Sequence, residues 1–331
     1  MKVCDTIQML ESEKSRKLMT ALYGEAAVDA NIERYQNLVK SFQKKFAEED
    51  VTLFSSPGRT EISGNHTDHN HGKVLAGSIN LDCVGVAAKN NSSKVHIISE
   101  TFNQSFIIDL NDLSPSDKKA GTIDLVKGLL QGFKESGYEV GGFNAYITSN
   151  VISAAGVSSS ASFEMLLCSI LNTFFNEGRM DTVAYAHIGK YSENVYWDKA
   201  SGLLDQMACA VGGLITIDFL EPASPVVEKI DFDFSSQNHS LIIVNTGKGH
   251  ADLSADYSSV PIEMKKVAEL FGKEVCAEIT EEEVIGHLAE VREYAGDRSV
   301  LRALHFFEEN KRVEAEVKAL KEGRFSDFLN N

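Results

Sequence analysis

What the chain lacks sets the first limits on it. None of its 331 residues belongs to a run approaching the ~18 uninterrupted apolar side chains of a membrane-spanning helix. The opening residues, MKVCDTIQMLESEKSRKLM, carry charges where a secretory signal needs an apolar centre. No C-x-x-C pair occurs. The five cysteines (Cys4, Cys83, Cys168, Cys209 and Cys276) are odd in number and widely spaced, which argues against a disulfide framework. Cys83, Cys168 and Cys209 sit in apolar runs, where a thiol usually behaves as a small buried hydrophobe. Basic side chains are also scarce. The 32 Lys and Arg against 48 Asp and Glu leave a net charge of −16, so the surface nucleic acid needs to replace its counterions is missing. A cytoplasmic setting without nucleic-acid or membrane partners is the expectation. An anionic small molecule would have to be met locally, by helix ends, backbone amides, a metal or a few basic side chains. There is no internal repeat and no low-complexity tract.

What is present is ordinary for a globular protein, with 43% hydrophobic and 24% charged residues. The length exceeds what one core usually organises, so a two-domain chain is expected, divided as 1–220 and 221–331. Residues 5–47 read as helix, with an apolar face at Ile32, Tyr35, Leu38, Val39, Phe42 and Phe46. A short strand follows over 51–55, stopped by the turn Ser56-Pro57-Gly58. Strands are expected at 74–88, 94–99, 142–148, 213–219 and 241–245. Helices are expected at 125–133, 165–175, 182–199, 203–211, 254–272, 280–293 and 297–322, with a loop-rich stretch at 222–239. The order is that of an α+β fold, not a strict βαβ alternation.

Two segments carry chemistry. The first, Asn150-Val-Ile-Ser-Ala-Ala-Gly-Val-Ser-Ser-Ser-Ala161, joins a strand to an apolar helix. A helix start offers unpaired N–H groups and partial positive charge to a phosphate, and Ala154, Ala155 and Gly156 allow close backbone approach. Ser158, Ser159 and Ser160 add hydroxyls that can cap the helix, donate to phosphate or ligate Mg²⁺. An ordinary N-cap packed on a sheet reads the same way. A Walker loop and a G-x-S-x-G elbow are both missing. The second segment, Pro57-Gly-Arg-Thr-Glu-Ile-Ser-Gly-Asn-His-Thr-Asp-His-Asn-His-Gly72, sets donors and acceptors at several angles, as a polyol substrate demands. Metal chelation by His66, Asp68, His69 and His71 is the rival, but their spacing matches no standard zinc motif. A plain solvated loop is the third reading.

Together these segments resemble the galactokinase branch of the GHMP kinases. That family carries P-G-R-x-N-x-x-G-E-H-T-D-Y-N-x-G, similar to PGRTEISGNHTDHNHG here, and P-x-G-x-G-[LV]-S-S-S-A, similar to residues 152–161. Its E-x(11)-D-Q spacing is matched by Glu193 and Asp205-Gln206, and a later E-Y element by Asp256-Tyr257. The resemblance implies a two-domain GHMP-kinase-like α+β fold, with an N-terminal ribosomal-S5-like domain and a partial C-terminal domain. It also implies an ATP-dependent, Mg²⁺-requiring phosphorylation of the anomeric hydroxyl of galactose. Residue by residue, Asp205 takes the place of the carboxylate that accepts the sugar proton, and Arg59 that of its guanidinium neighbour. Asn65, His66, Thr67, Asp68, Gly202 and Tyr257 fall at sugar-site positions. Ala154, Ala155, Gly156, Val157, Ser158, Ser159 and Ser160 fall on the triphosphate loop, with Ser99 on the nucleotide side. Ser160 and Glu193 match the Mg²⁺ ligands.

The departures matter too. The family's sugar-gripping Glu is Asn65 here, its Tyr is His69, and its Asn after the Arg is Glu61. Those changes make another sugar an alternative substrate. In the phosphate loop Ile152 and Ala154 replace the family's Pro and first Gly, and no glycine-rich third motif precedes Asn331. A fragment, a shortened second domain, or a catalytically silent sugar and ATP sensor would each fit that last feature.

Overall fold

The computed structural model of the chain describes residues 1–116, 121–153, 155–199, 201–244 and 254–331. These pack as two compact units that share the chain non-contiguously: 1–58, 79–153 and 157–201 in one, and 59–78, 155–156 and 202–331 in the other. Among the described residues no helix is long and apolar enough to cross a membrane.

The first unit opens with three helices where the periodicity predicts one: α1 (Val3–Leu10), α2 (Glu13–Tyr23) and α3 (Val28–Lys45). Two local signals break the run. Ser12 caps α2, its Oγ accepting from the Ser15 N–H at 3.2 Å, and Gly24 takes φ +79°, which ends α2. The predicted apolar face of α3 is buried at Ile32, Tyr35, Leu38, Val39 and Phe42. It packs in one core with Val84, Val86, Ala88 and Tyr146. A fully buried side chain such as Phe42 contributes about 1.5–3 kcal/mol.

β1 (Thr52–Ser63) does not stop at Pro57 as expected; it runs on through the Pro-Gly pair. It pairs with β2 alone among the described strands, and an edge strand tolerates the N–H that proline lacks. β2 (Lys73–Lys89) gives its second half to this unit, antiparallel to β5 (Phe143–Ser149) with Val86 opposite Tyr146. β3 (Lys94–Ser99) lies parallel to β5 and forms a hairpin with β4 (Gln104–Asp109). That fourth strand, which the sequence reading leaves out, buries Phe106 and Ile108 in alternation. α4 (Thr122–Glu135), α5 (Ser159–Phe175) and α6 (Thr182–Tyr191) pack against one another. The helix expected over 182–199 turns π-helical at Ser192–Tyr196, where Gly128 leaves room: a Cβ there would lie 2.6 Å from Ser192 Oγ.

In the second unit the first half of β2, residues 73–77, pairs antiparallel with β6 (Leu214–Asp218), and β7 (Val226–Ile230) pairs with β6. α7 (Leu204–Val211) precedes β6. α8 (Ser254–Leu270), α9 (Glu281–Gly286), α10 (Leu288–Ala295) and α11 (Asp297–Lys321) close around Met264, Val267, Val291, Ala303 and Phe306. A second core joins α11 and α12 (Phe325–Asn330) to the strands through Leu75, Leu214, Ile230, Val313 and Leu320. The strand expected at 241–245 is not found over 241–244, whose apolar side chains are exposed, and Asn245 lies outside the described residues. Strand propensity without a neighbouring strand makes no ladder.

Candidate active site

The polar segment 59–72 is held in shape by backbone geometry and by α11. Gly64 takes φ +89°, and a Cβ there would fall 2.3 Å from the Lys73 carbonyl, so only glycine fits. Thr67 is fully buried, and its Oγ1 lies 2.9 Å from Gly64 O and 2.8 Å from Lys73 O, closing the loop. From α11, Glu309 Oε2 accepts the N–H groups of Gly64 (2.9 Å) and Asn65 (3.2 Å), and Asn310 Oδ1 accepts the Lys73 N–H at 2.7 Å. His305 Nε2 donates to Asn65 O at 2.8 Å, and Glu316 takes the Ser63 hydroxyl. Local sequence gives no sign of this buttress, which is some 245 residues away in the chain. Glu309→Ala strands two N–H groups, so stability is expected to fall by about 2–4 kcal/mol in chemical denaturation. Glu309→Gln, which keeps an acceptor, should recover much of it.

Within that frame the predicted side chains converge. Arg59, on β1, donates from Nε (3.0 Å) and Nη2 (2.5 Å) to Oδ1 of Asp205, in the first turn of α7, and from Nη1 to the Gly156 carbonyl. Burial works against the Arg59 charge, but the Asp205 carboxylate outweighs it and the guanidinium is held above its usual value. His66 sits at φ +59° with its ring edge-on to Tyr257 at 4.6 Å and stacked with His69 at 6.4 Å. Burial lowers the His66 pKa, which keeps its ring neutral. The Tyr257 hydroxyl is raised, first by burial and then by Asp205. Asp68 Oδ1 takes the His69 N–H at 3.0 Å. Glu61, two residues after Arg59 on β1, faces the same carboxylates; burial pushes it up to about 8, Asp68 adds to the rise, and Arg59 opposes it. Asn65, by contrast, is exposed.

Gly202 packs directly on Asp68. A Cβ at 202 would lie 1.8 Å from Asp68 Oδ2, so Gly202→Ala forces that carboxylate to rotate. If Asp68 binds substrate, the lost hydrogen bond is expected to raise KM about 5- to 100-fold with little change in Tm. Steady-state kinetics with a melting curve check this.

The predicted phosphate loop divides between the units, with Ala155 and Gly156 in the second and residues 157–160 in the first. Gly156 takes φ +73°, a left-handed backbone that Gly accepts freely. In the first unit Ser158 does the same at φ +59°, just before α5, where a serine is rarely found. Among the described residues Ser158 Oγ is buried with no hydrogen-bond partner. Ser160 Oγ donates to Glu193 Oε1 at 2.9 Å, and Glu193 is fully buried on the π-turn. Lys199 Nζ reaches the same oxygen at 2.6 Å, a partner that sequence reasoning overlooks. Val157 and Ser159 flank Ser158, with Val157 buried; Ala154 lies outside the described residues. Ser99 is buried at the end of β3, its backbone in register with Ile147 and Gln104, and among the described residues it has no side-chain hydrogen bond to residues 157–160. No three His, Cys, Asp or Glu side chains among the described residues converge as a metal cluster.

Two family models match the chain: the galactokinase galactose-binding signature over residues 40–89, and the GHMP kinases N-terminal domain over 124–213. A galactokinase of Pyrococcus furiosus is 34% identical over 278 residues, covering 81% of this chain and 71% of its own. A galactokinase of Lactococcus lactis is 30% identical over 304 residues, covering 88% and 74%. The crystal structure of Lactococcus lactis galactokinase complexed with galactose aligns at a TM-score of 0.74 and 25% identity, over 89% of this chain and 76% of that one.

Proposed function

We propose that this chain, which belongs to the galactokinase family, is an ATP-dependent kinase acting on the anomeric hydroxyl of galactose. The observation that carries the mechanism is the Arg59–Asp205 pair set among Glu61, His66, Asp68 and Tyr257. A galactose hydroxyl placed against Asp205 can pass its proton to the carboxylate as its oxygen bonds to the γ-phosphorus. The bond from that phosphorus to the β,γ-bridging oxygen breaks, and ADP leaves. Arg59 sets a permanent positive charge beside the carboxylate and the transferred group, where the loose transition state needs charge neutralised more than it needs covalent help. His66, Asp68, Gly202 and Tyr257 orient the sugar; Asn65 and Thr67 shape the loop that carries His66 and Asp68.

Residues 154–160 hold the triphosphate in this reading, on the strength of the unpartnered Ser158 hydroxyl and the N–H groups at the start of α5. Ser160 Oγ and Glu193 Oε1 are hard oxygen donors that suit Mg²⁺, which when bound neutralises charge on the β- and γ-phosphates. Lys199 already supplies one positive charge to Glu193.

The test is ADP release coupled to a reporter enzyme, run with ATP, Mg²⁺ and a panel of aldohexoses. Turnover that is fastest with galactose supports the assignment. Turnover with another hexose alone moves the substrate, as the changes at residues 65 and 69 would allow. Binding of galactose and ATP without any ADP release would instead identify a sensor.

A further inference from the structure

The polar segment gathers several side chains around Asp205, and one of them has no role in the reaction above. Glu61 Oε1 is buried and makes no hydrogen bond among the described residues. A buried polar atom without a partner is costly, and one set among the groups around Asp205 can be satisfied by a hydrogen bond to a bound molecule. We propose that Glu61 is a specificity-determining residue of the sugar site, its carboxyl donating a hydrogen bond to a hydroxyl of the bound sugar. The inference rests on the sugar-kinase reading and names a contact within it.

Placement of the acid supports it. The motif this chain resembles has an amide at the position of Glu61 and an acid at that of Asn65; here the two are exchanged. Asn65 is exposed, and its backbone is bound by Glu309 and His305 of α11. Glu61 interacts with Arg59 on its own strand, with Asp68 in the following turn, with Asp205 on α7 and with the neutral Tyr257 hydroxyl on α8, and its carboxyl accepts from the His66 backbone N–H. The exchange thus moves an acid inward.

Its protonation state follows from that company. Asp68 and Asp205 already face the site, and burial, with Asp68 next, raises Glu61 to about 8. At neutral pH the carboxyl is uncharged and carries an O–H. The two aspartates only accept hydrogen bonds when ionised, so Glu61 adds a donor that can meet a lone pair of a sugar hydroxyl. An acid kept neutral by its surroundings so that it can donate is an established use of burial.

Calorimetric titration of galactose into the full chain from pH 6.5 to 9.5 tests this. The wild-type Kd should be flat well below pH 8 and rise about tenfold per unit above it. Glu61→Gln keeps a neutral donor of similar shape, so it should bind as wild type does at pH 6.5 and lose the rise. Glu61→Asn, which is one methylene shorter, should bind more weakly across the range, by about 5- to 100-fold. A flat wild-type profile, which needs no variant to fold, overturns the proposal, and so does a rise that persists in Glu61→Gln. If galactose fails to bind the wild type at every pH, the galactose assignment falls and takes this inference with it; binding with a flat profile removes the inference alone.

Discussion

Asp205→Asn is expected to lower kcat about 10²- to 10⁴-fold while leaving KM for galactose and ATP within a few-fold of wild type. The amide keeps an oxygen for Nε and Nη2 of Arg59, so the geometry of the pair survives. What it loses is the acceptor for the anomeric proton and the negative charge that balances the guanidinium. The transition state of phosphoryl transfer is loose, and proton removal runs late, so the lower part of that range is the more consistent with a purely basic role. Arg59→Lys tests the other half of the pair, because an ammonium cannot reproduce the fork that spans Asp205 and the Gly156 carbonyl. A kcat for Asp205→Asn within tenfold of wild type would remove Asp205 as the base and leave it only a positioning residue.

Much of this site is legible in the order of the residues alone, and the reason is spacing. Glu193 and Asp205 are separated by a fixed interval, and the segment 57–72 concentrates polar groups no loop needs. The α3 stripe is equally plain, since five of its six predicted positions fall on the buried face of that helix and the sixth, Phe46, lies buried at its C-terminal end. What local pattern does not supply is pairing across distance. Arg59 and Asp205 are 146 positions apart, and the buttress from His305, Glu309 and Asn310 to the 64–73 loop spans more than 230. Glu61 stands out as a departure from the motif, yet its electrostatic neighbours Asp205 and Tyr257 lie 144 and 196 positions further along the chain. Two expectations fail in opposite directions for one reason. Pro57-Gly58 reads as a stop although an edge strand can carry it, and 241–244 reads as a strand although nothing described pairs with it. Propensity describes a residue, whereas a ladder requires two strands.

Glu61→Gln is expected to gain stability over wild type as pH rises, by on the order of 3–5 kcal/mol at pH 8.5. The sign follows from the direction of the shift. The Glu61 carboxyl ordinarily titrates near 4.5 and in the folded chain near 8, so the folded state binds a proton that the unfolded state has already released. That favours folding fully below pH 4.5, and the advantage is lost as pH climbs through 8. Across that window the wild type therefore loses stability from this group, about 1.4 kcal/mol for each pH unit, and levels off above it. The amide does not titrate, so the gap between the two proteins should be small at pH 5.5 and wide at pH 8.5. Melting curves at both values measure it directly. Because the same protonated carboxyl is assigned to the sugar, galactose should widen the gap above pH 8: Glu61→Gln keeps its affinity there while the wild type binds only through its protonated fraction, so the amide gains more from RT ln(1 + [L]/Kd). A gap that stays constant from pH 5.5 to 8.5 would show that water reaches Glu61 freely, and a carboxyl in that state could not serve as the donor.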